Sequence, residues 1–311
     1  MTASRTMGQA PSAWNARRLA EWSAPHLARV EEALSRWVGV DAPAQLGDAM
    51  RYAVLDGGKR LRPLLVLAAS EAVGGSDAAA LRAACATELI HAYSLVHDDL
   101  PSMDNDVLRR GKPTVHVQFG EARALLAGDA LQALAFELLT PDDHEGVPPQ
   151  VQATLCRLLA RAAGSQGMAG GQAIDLASVG VALDEARLRE MHRLKTGALL
   201  QGSVEMGSAC GSGVAPQAAD ALRAYGAALG LAFQVVDDIL DVTADSQTLG
   251  KTAGKDAAAD KPTYVSLLGL DRARAEARQL LAQSLAALER SGLADTQALC
   301  ALAHMVVDRD R

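Results

Sequence analysis

Apolar positions recur at helical spacing through most of this chain of 311 residues. Alanine, leucine and valine return every three or four residues, a pattern typical of helices with one buried face. Clusters of glycine, proline and polar residues interrupt the pattern, and we expect turns there. They lie near residue 40 and at 73–77, 141–149, 211–216 and 244–262. The pattern predicts about ten helices.

Composition supports the same fold class. Alanine and leucine dominate, aromatic residues make up only 3% of the chain, and β-branched residues are sparse, which favours helix over strand. No flexible linker separates one helical run from the next. We therefore predict an all-α, single-domain helical bundle over residues 1–311, in which residues 1–15 are the part expected to be disordered.

Charge and apolar runs exclude two classes of partner. The 37 acidic and 30 basic residues give a net charge of −7 without any long basic run, so nucleic acid is not an expected partner. The apolar stretch 224–236 is shorter than the roughly 18 residues of a membrane span, so we expect no such span.

The N-terminus lacks the apolar core of a secretory signal. The four cysteines form neither a CxxC pair nor a zinc spacing, which favours reduced thiols and a cytoplasmic location.

An acidic cluster, HDDLPSMDND at 97–106, follows an apolar stretch that ends in LIHAYSLV. Because proline disfavours helix in the residue before it, we expect this helix to end near Pro101. His91 and Asp98 are seven residues apart and therefore share one face of the helix, two turns from each other. The pattern places carboxylates at the end of a buried helix.

A second acidic cluster, FQVVDDILD at 233–241, has the same character. Its polar side chains at 234, 237, 238 and 241 fall at i, i+3, i+4 and i+7, which is one stripe of one helix. The preceding residues are apolar nearly all round, as in a core helix. We expect these carboxylates to face a cleft.

Two such clusters favour a metal site, although either alone could equally be a solvated helix end. Carboxylates held together in a partly buried site repel one another unless cations neutralise them. Carboxylate oxygens with no cysteine or histidine pair suit Mg²⁺, which often bridges to substrate phosphates. Basic residues that could bind phosphate lie near both clusters and in GGKRLRP: Lys59, Arg60, Arg62, Arg109, Arg110, Lys195, Lys251, Lys255 and Lys261.

With these motifs the chain resembles the trans-prenyl diphosphate synthases, most closely the bacterial farnesyl diphosphate synthases. The resemblance runs from residue 51 to about residue 270, in the order of the family. It is carried by GGKRLRP, ELIHAYSLVHDDLPSMDNDVLRRGKPTVH, LAGDAL, GMAGGQAIDL, LKTGALL, GLAFQVVDDILD, LGKTAGKD and DKPTY. It implies the isoprenoid synthase fold with a deep central cavity, a homodimer, and about three Mg²⁺ ions between the two aspartate motifs.

The resemblance also implies roles for single residues. The metal ligands would be Asp98, Asp104 and Asp237, supported by Asp99, Asp238 and Asp241. The diphosphate of isopentenyl diphosphate would be bound by Lys59, Arg62, His91 and Arg110. The allylic substrate would be bound by Arg109, Lys195, Thr196, Gln234, Lys251 and Lys261, of which Lys195, Thr196 and Gln234 also serve catalysis.

The implied reaction condenses isopentenyl diphosphate with dimethylallyl and geranyl diphosphate to give farnesyl diphosphate. In this family the residues just before the first aspartate motif form the floor of the chain-elongation cavity. Here these are Tyr93 and Ser94, and the aromatic ring of Tyr93 is bulky enough to stop growth at fifteen carbons.

Several alternatives stay open at this point. A geranyl or geranylgeranyl diphosphate synthase has the same fold and differs in the cavity floor. A class I terpene cyclase usually replaces the second aspartate motif, and a non-catalytic partner subunit typically loses one or both motifs, whereas both are intact here. A di-iron bundle would need two facing ExxH pairs, and only Glu88 and His91 supply one.

Two positions depart from the family pattern. Val265 follows Tyr264 where a proline favoured at helix starts is expected. Asp56 precedes the glycines of GGKRLRP, where the family often has a small residue.

Overall fold

The computed structural model describes residues 14–55, 57–142, 146–181, 183–243 and 263–309. Lys251, Lys255, Lys261 and Asp56 lie outside these ranges. Within them the chain is almost entirely helical, and the expected all-α fold is confirmed. The helices are α1 Ala16–Trp37, α2 Leu46–Val54, α3 Leu61–Ala72, α4 Asp77–Asp98, α5 Val115–Phe119, α6 Glu121–Leu139, α7 Pro149–Ala163, α8 Met168–Ala177, α9 Glu185–His192, α10 Ala198–Ala209, α11 Pro216–Thr243, α12 Tyr264–Leu268, α13 Leu270–Arg290 and α14 Gln297–Val307.

The remaining regular structure in these ranges is short. A 3₁₀ turn at Pro43–Gln45 precedes α2, and a π-helix at Arg193–Gly197 joins α9 to α10. Two strands of two residues, β1 Leu108–Arg109 and β2 Lys112–Pro113, pair antiparallel. The helices outnumber the expected ten for two reasons. Some breaks have no glycine or proline cluster to mark them, and helices of five residues, such as α5 and α12, are too short to show a periodic pattern.

Local chemistry sets several helix starts. The Asn15 side chain accepts a hydrogen bond from the Arg18 amide and caps α1, so residues 14 and 15 of the segment expected to be disordered are placed, whereas 1–13 lie outside the description. Ser76 caps α4 in the same way. At α12, Thr263 and Ser266 form a reciprocal capping box, which starts this helix without the missing proline.

The core consists of three apolar clusters that share helices. The first surrounds α4, which is buried on nearly every side and packs against α3 and α6. The second lies between α3, α10, α11 and α14, and the third between α9, α11, α12 and α13. Residues of α3, α10 and α11 each belong to two of these three clusters. The clusters therefore fix the start of α3, the end of α4 and the end of α11 relative to one another.

Two further findings bear on the sequence expectations. No helix in the described ranges is long and apolar enough to cross a bilayer. All four cysteines are free thiols, and burial raises the pKa of Cys210 to about 12, so it is an inert packing residue.

Candidate active site

The first acidic cluster forms a compact loop at the end of α4. The helix ends at Asp98, and the amide of Asp104 donates to the carbonyl of Asp98 at 2.8 Å, so the proline turn folds the second aspartate back onto the first. Burial and the neighbouring carboxylates of Asp104 and Asp99 raise the pKa of Asp98 to about 6, against the opposing charge of Lys195. This is the electrostatics of a site that favours a cation.

Asp99, the neighbouring carboxylate, has a different partner. It is buried, and the Arg109 guanidinium binds it bidentately, with Nη2 to Oδ1 at 2.6 Å and Nε to Oδ2 at 2.9 Å. Arg109 belongs to β1, so the short hairpin is fastened to the end of α4. Asp99 therefore orients Arg109, which was expected to face the allylic substrate.

The second acidic cluster lies on α11, and its members divide between two environments. Asp237 is partly exposed and pairs with Arg309 through a short contact. Arg309 also donates to the Phe233 carbonyl at 3.0 Å and lies 4.2 Å from the centre of the Phe233 ring. The guanidinium of Arg309, which follows α14, thus binds the carboxylate that was expected to bind metal.

Asp238 and Asp241 are buried rather than directed into an open cleft. Asp238 accepts from the Tyr264 amide at 2.7 Å and from the Gln234 side chain at 2.9 Å. These bonds fix the start of α12 to α11, so Asp238 supports the geometry of the second cluster.

A π-helix presents Lys195 and Thr196 beside these carboxylates. π-turns occur mostly as local distortions at functional sites. The Lys195 ammonium lies 2.6 Å from Asp175 of α8, and the Thr196 hydroxyl donates to the Gln234 side chain at 2.9 Å. The close approach of α8 depends on Gly171, where a Cβ would lie 2.0 Å from the Lys195 amide nitrogen. The structure therefore brings Thr196 and Gln234 into contact and holds the neighbouring Lys195 on Asp175.

A cavity of about 500 Å³ lies between the loop before α3 and helices α4, α11 and α14. All four residues expected to bind the diphosphate of isopentenyl diphosphate line it: Lys59, Arg62, His91 and Arg110. Burial, Arg62 and Arg110 hold the pKa of His91 well below its ordinary value, so this imidazole is neutral and one ring nitrogen can donate a hydrogen bond. Arg309 lines the same cavity and connects it to Asp237.

The loop that carries Lys59 has a left-handed backbone at three positions. Gly57 and Gly58 have φ of 77° and 134°, and Arg60 has φ of 47°. A Cβ at Gly58 would lie 2.9 Å from the Arg110 guanidinium, and the residue would have to adopt a φ of 134°, so a side chain there would be strained and would displace this arginine. A non-glycine residue in this region costs about 1–2 kcal/mol, which the contacts of Arg60 must offset.

Tyr93 is buried on α4, one turn before the first acidic cluster. Its ring meets His97 edge to face, with centroids 5.7 Å apart. The Ser94 hydroxyl donates to the His91 carbonyl within the helix. An ordered aromatic ring at this level fits the expected cavity floor.

Three residues important to the site were not assigned from the sequence. Asp175 lies in the motif GMAGGQAIDL but was given no role, and Arg309 lies beyond the segments that carry the resemblance. Arg60 stands in GGKRLRP among the basic residues considered for phosphate, but the structure buries it in ion pairs with Glu31 and Glu88. Lys251 and Lys261 lie outside the described residues, and their assignments stay predictions.

The residues present fit magnesium in a particular way. Within the described part of the chain, no group of three histidine, cysteine, aspartate or glutamate side chains converges into a ready metal cage. Mg²⁺ rarely uses such cages and is usually held by one or two carboxylates, waters and substrate phosphates. Asp98 and Asp104, whose carboxylates interact electrostatically and whose backbones are hydrogen-bonded, could supply such a pair of oxygens.

Comparison with known proteins agrees with this geometry. A model of the polyprenyl synthetase family matches residues 43–302. The farnesyl diphosphate synthase of Geobacillus stearothermophilus is 47% identical over 90% of this chain and 94% of its own length. A chloroplastic geranylgeranyl pyrophosphate synthase of Catharanthus roseus is also 47% identical, over 90% of this chain and 78% of its own.

A solved structure extends the similarity to three dimensions. The geranyltransferase of Helicobacter pylori, in complex with magnesium and isoprenyl diphosphate, superposes with a TM-score of 0.80. It is 34% identical and the match covers 93% of this chain and 96% of that one. The match of the family model to most of the chain, together with these relatives, shows that the chain belongs to the polyprenyl synthetase family.

Proposed function

We propose that this protein is a short-chain prenyltransferase that condenses isopentenyl diphosphate with dimethylallyl and then geranyl diphosphate to give farnesyl diphosphate. The observation that carries the proposal is the cationic cavity, in which the basic residues of three separate segments converge next to Asp237. The relatives named as farnesyl diphosphate synthases, with nearly full coverage, support the same activity.

The chain's own residues can support each stage of this reaction. Lys59, Arg62 and Arg110 hold the diphosphate of isopentenyl diphosphate by charge, and neutral His91 adds a hydrogen bond. Asp98 and Asp104 would hold Mg²⁺, which when bound would neutralise negative charge on the diphosphate leaving group.

Ionisation then breaks the allylic C–O bond and leaves a carbocation. Lys195 stabilises the departing diphosphate, while the oxygens of Thr196 and Gln234, fixed by their mutual hydrogen bond, offer dipoles to the carbocation. The double bond of isopentenyl diphosphate attacks the cation and forms the new C–C bond. The departing diphosphate accepts the proton that is lost, so no catalytic triad is required.

Tyr93 limits the product to fifteen carbons in this proposal. Its ring is buried on α4 one turn before the first acidic cluster and packs on His97, which supports a cavity floor at this level. We also propose that the active form is a homodimer and that residues 1–311 form one domain. α6 supports the dimer, because it exposes the adjacent Leu125 and Leu126 to 47% and 55%, and contiguous exposed apolar surface marks interaction sites.

One assay tests the activity. The purified protein is incubated with Mg²⁺, isopentenyl diphosphate and geranyl diphosphate, pyrophosphate release is followed, and the dephosphorylated products are separated by chromatography. We expect a C15 prenol and no turnover in the presence of a chelator. Absence of any elongated prenol would refute the enzyme assignment, whereas a mainly C20 product would refute only the role of Tyr93.

A further inference from the structure

Arg60 stands in the loop before α3, between two residues assigned to diphosphate binding, yet its guanidinium has no room for a ligand. The side chain is 3% exposed. Nε donates to Glu31 of α1 at 2.6 Å, Nη1 donates to Glu88 of α4 at 2.6 Å, and Nη2 donates to the carbonyl of Val54 at the end of α2 at 2.7 Å. One arginine thus ties three helices to this loop.

This network fixes a backbone that would not persist by itself. Arg60 has left-handed φ and follows Gly57 and Gly58, so three of the four residues before α3 have positive φ. Left-handed non-glycine residues survive where the surrounding contacts over-determine them. Because Arg60 is anchored, the directions in which Lys59 and Arg62 leave the backbone are set as well.

Glu88 gives the network an electrostatic role. Its carboxylate is buried, lies one helical turn before His91, and borders the same cavity as Lys59 and Arg62. A buried carboxylate at this wall would repel a diphosphate unless a cation compensates it. The Arg60 guanidinium, in direct contact with Glu88, supplies that compensation.

We propose that Arg60 is a positioning residue for the diphosphate site of the C5 substrate, and that it acts by holding the Lys59 loop and by neutralising Glu88. The proposal rests on the proposed function of the cavity. It predicts that loss of Arg60 weakens one substrate selectively, because the polar side chains assigned to the allylic site are held by other partners: Lys195 by Asp175 of α8, and Thr196 by Gln234 of α11.

The test compares Arg60→Met, Arg60→Lys, Glu88→Gln and the double variant with the wild type. Arg51 offers a matched control, because its guanidinium also ties α2 to α1 through the carbonyls of Ser35 and Val38 without lining the cavity. For each protein, kcat and the KM values for isopentenyl and geranyl diphosphate are measured, together with the midpoint of thermal unfolding.

We expect Arg60→Met to raise the KM for isopentenyl diphosphate by about tenfold or more, since an uncompensated charge then faces the ligand. The KM for geranyl diphosphate should change less than about twofold. The double variant with Glu88→Gln should recover much of the loss, and Arg60→Lys should lie between, because it keeps the charge without the planar fork. Arg51→Met should lower the unfolding midpoint and leave both KM values unchanged.

Two results would overturn the proposal. If Arg60→Met raises both KM values by the same factor, or if Glu88→Gln brings no recovery in the double variant, Arg60 only stabilises the fold. If Arg60→Met does not fold, the Glu88→Gln variant alone tests the proposal. Because Glu88→Gln removes the charge that would repel the diphosphate, a higher KM for isopentenyl diphosphate in this variant contradicts the neutralisation argument.

Failure of the proposed function is distinguished by a second readout. Titration calorimetry with inorganic diphosphate, without metal or turnover, measures the cavity directly. Should the wild type make no prenol, weaker diphosphate binding by Arg60→Met than by Arg51→Met still supports the positioning role, and equal binding refutes it.

Discussion

Gly171→Ala tests whether the close approach of α8 to the π-helix sets the catalytic geometry. A Cβ at this position would lie 2.0 Å from the Lys195 amide nitrogen and 2.4 Å from its Cα. Nonbonded heavy atoms prefer about 3.5–4.0 Å, so the two segments must move apart by roughly 1.5 Å. The obstacle is backbone, which cannot rotate away as a flexible side chain would.

Two effects on stability oppose each other in this variant. Overpacking of this kind costs about 1–3 kcal/mol. Replacing glycine by alanine inside a helix returns about 1 kcal/mol. The free energy of unfolding should therefore fall by only about 0–2 kcal/mol, and the protein should remain folded.

The effect on turnover should be much larger. Lys195 and Thr196 move with the π-helix, and Lys195 is also held from α8 by Asp175, four residues after Gly171. A misplacement of about 1 Å in a catalytic group can lower the rate by about 100-fold. We expect kcat to fall by that order while the far-ultraviolet circular dichroism spectrum is unchanged.

Gly39→Ala is the matched control, since an added Cβ there meets no atom within 4 Å. Steady-state kinetics and thermal unfolding of both variants decide the outcome. If Gly171→Ala keeps kcat within about twofold of the wild type, the π-helix does not depend on this approach and the geometric argument is wrong.

Further expected outcomes concern the acidic motifs and the cavity floor. Asp98→Ala should lower turnover by orders of magnitude with the fold retained, and near-normal turnover would make the first cluster plain surface charge. Tyr93→Ala should shift the products beyond C15 in the chromatographic assay, and an unchanged profile would move the floor elsewhere. Arg309→Gln removes the cation on Asp237, so less Mg²⁺ should be needed to raise the unfolding midpoint without substrate; an unchanged Mg²⁺ dependence contradicts this competition. Because the folded pKa of Asp98 is raised to about 6, from an ordinary 3.8, the metal-free protein should lose stability as pH rises from about 4 to about 6. In thermal unfolding with a chelator present, Asp98→Asn should make stability depend less on pH. If the variant and the wild type lose stability equally over this pH range, titration of Asp98 is not the cause.

The sequence predicted the parts of the fold that local patterning controls. Turns expected at 73–77, 141–149 and 211–216 coincide with the gaps between α3 and α4, α6 and α7, and α10 and α11. The end of α4 near Pro101 is also confirmed. These features follow from proline, glycine and capping residues close in the chain.

The sequence identified many of the residues of the site but not the contacts between them. Spacing placed Asp237 and Asp238 on one stripe of α11, but it could not show that one pairs with Arg309 and the other with the Tyr264 amide. Both partners come from distant segments, and such contacts depend on tertiary packing. The π-helix was not predicted for the same reason, because its side chains are held by contacts with α8 and α11, which are distant in the sequence.

The π-helix also bears on which deletions this chain can tolerate. Its hydrogen bonds run from i to i+5, so Arg193–Gly197 contains about one residue more than an α-helical path between α9 and α10 needs. Deleting Gly197, which lies between these residues and α10, would leave a continuous α-helix, yet it would rotate Lys195 and Thr196 by about 100° relative to α10. This deletion would therefore give a folded protein in which Thr196 no longer meets Gln234.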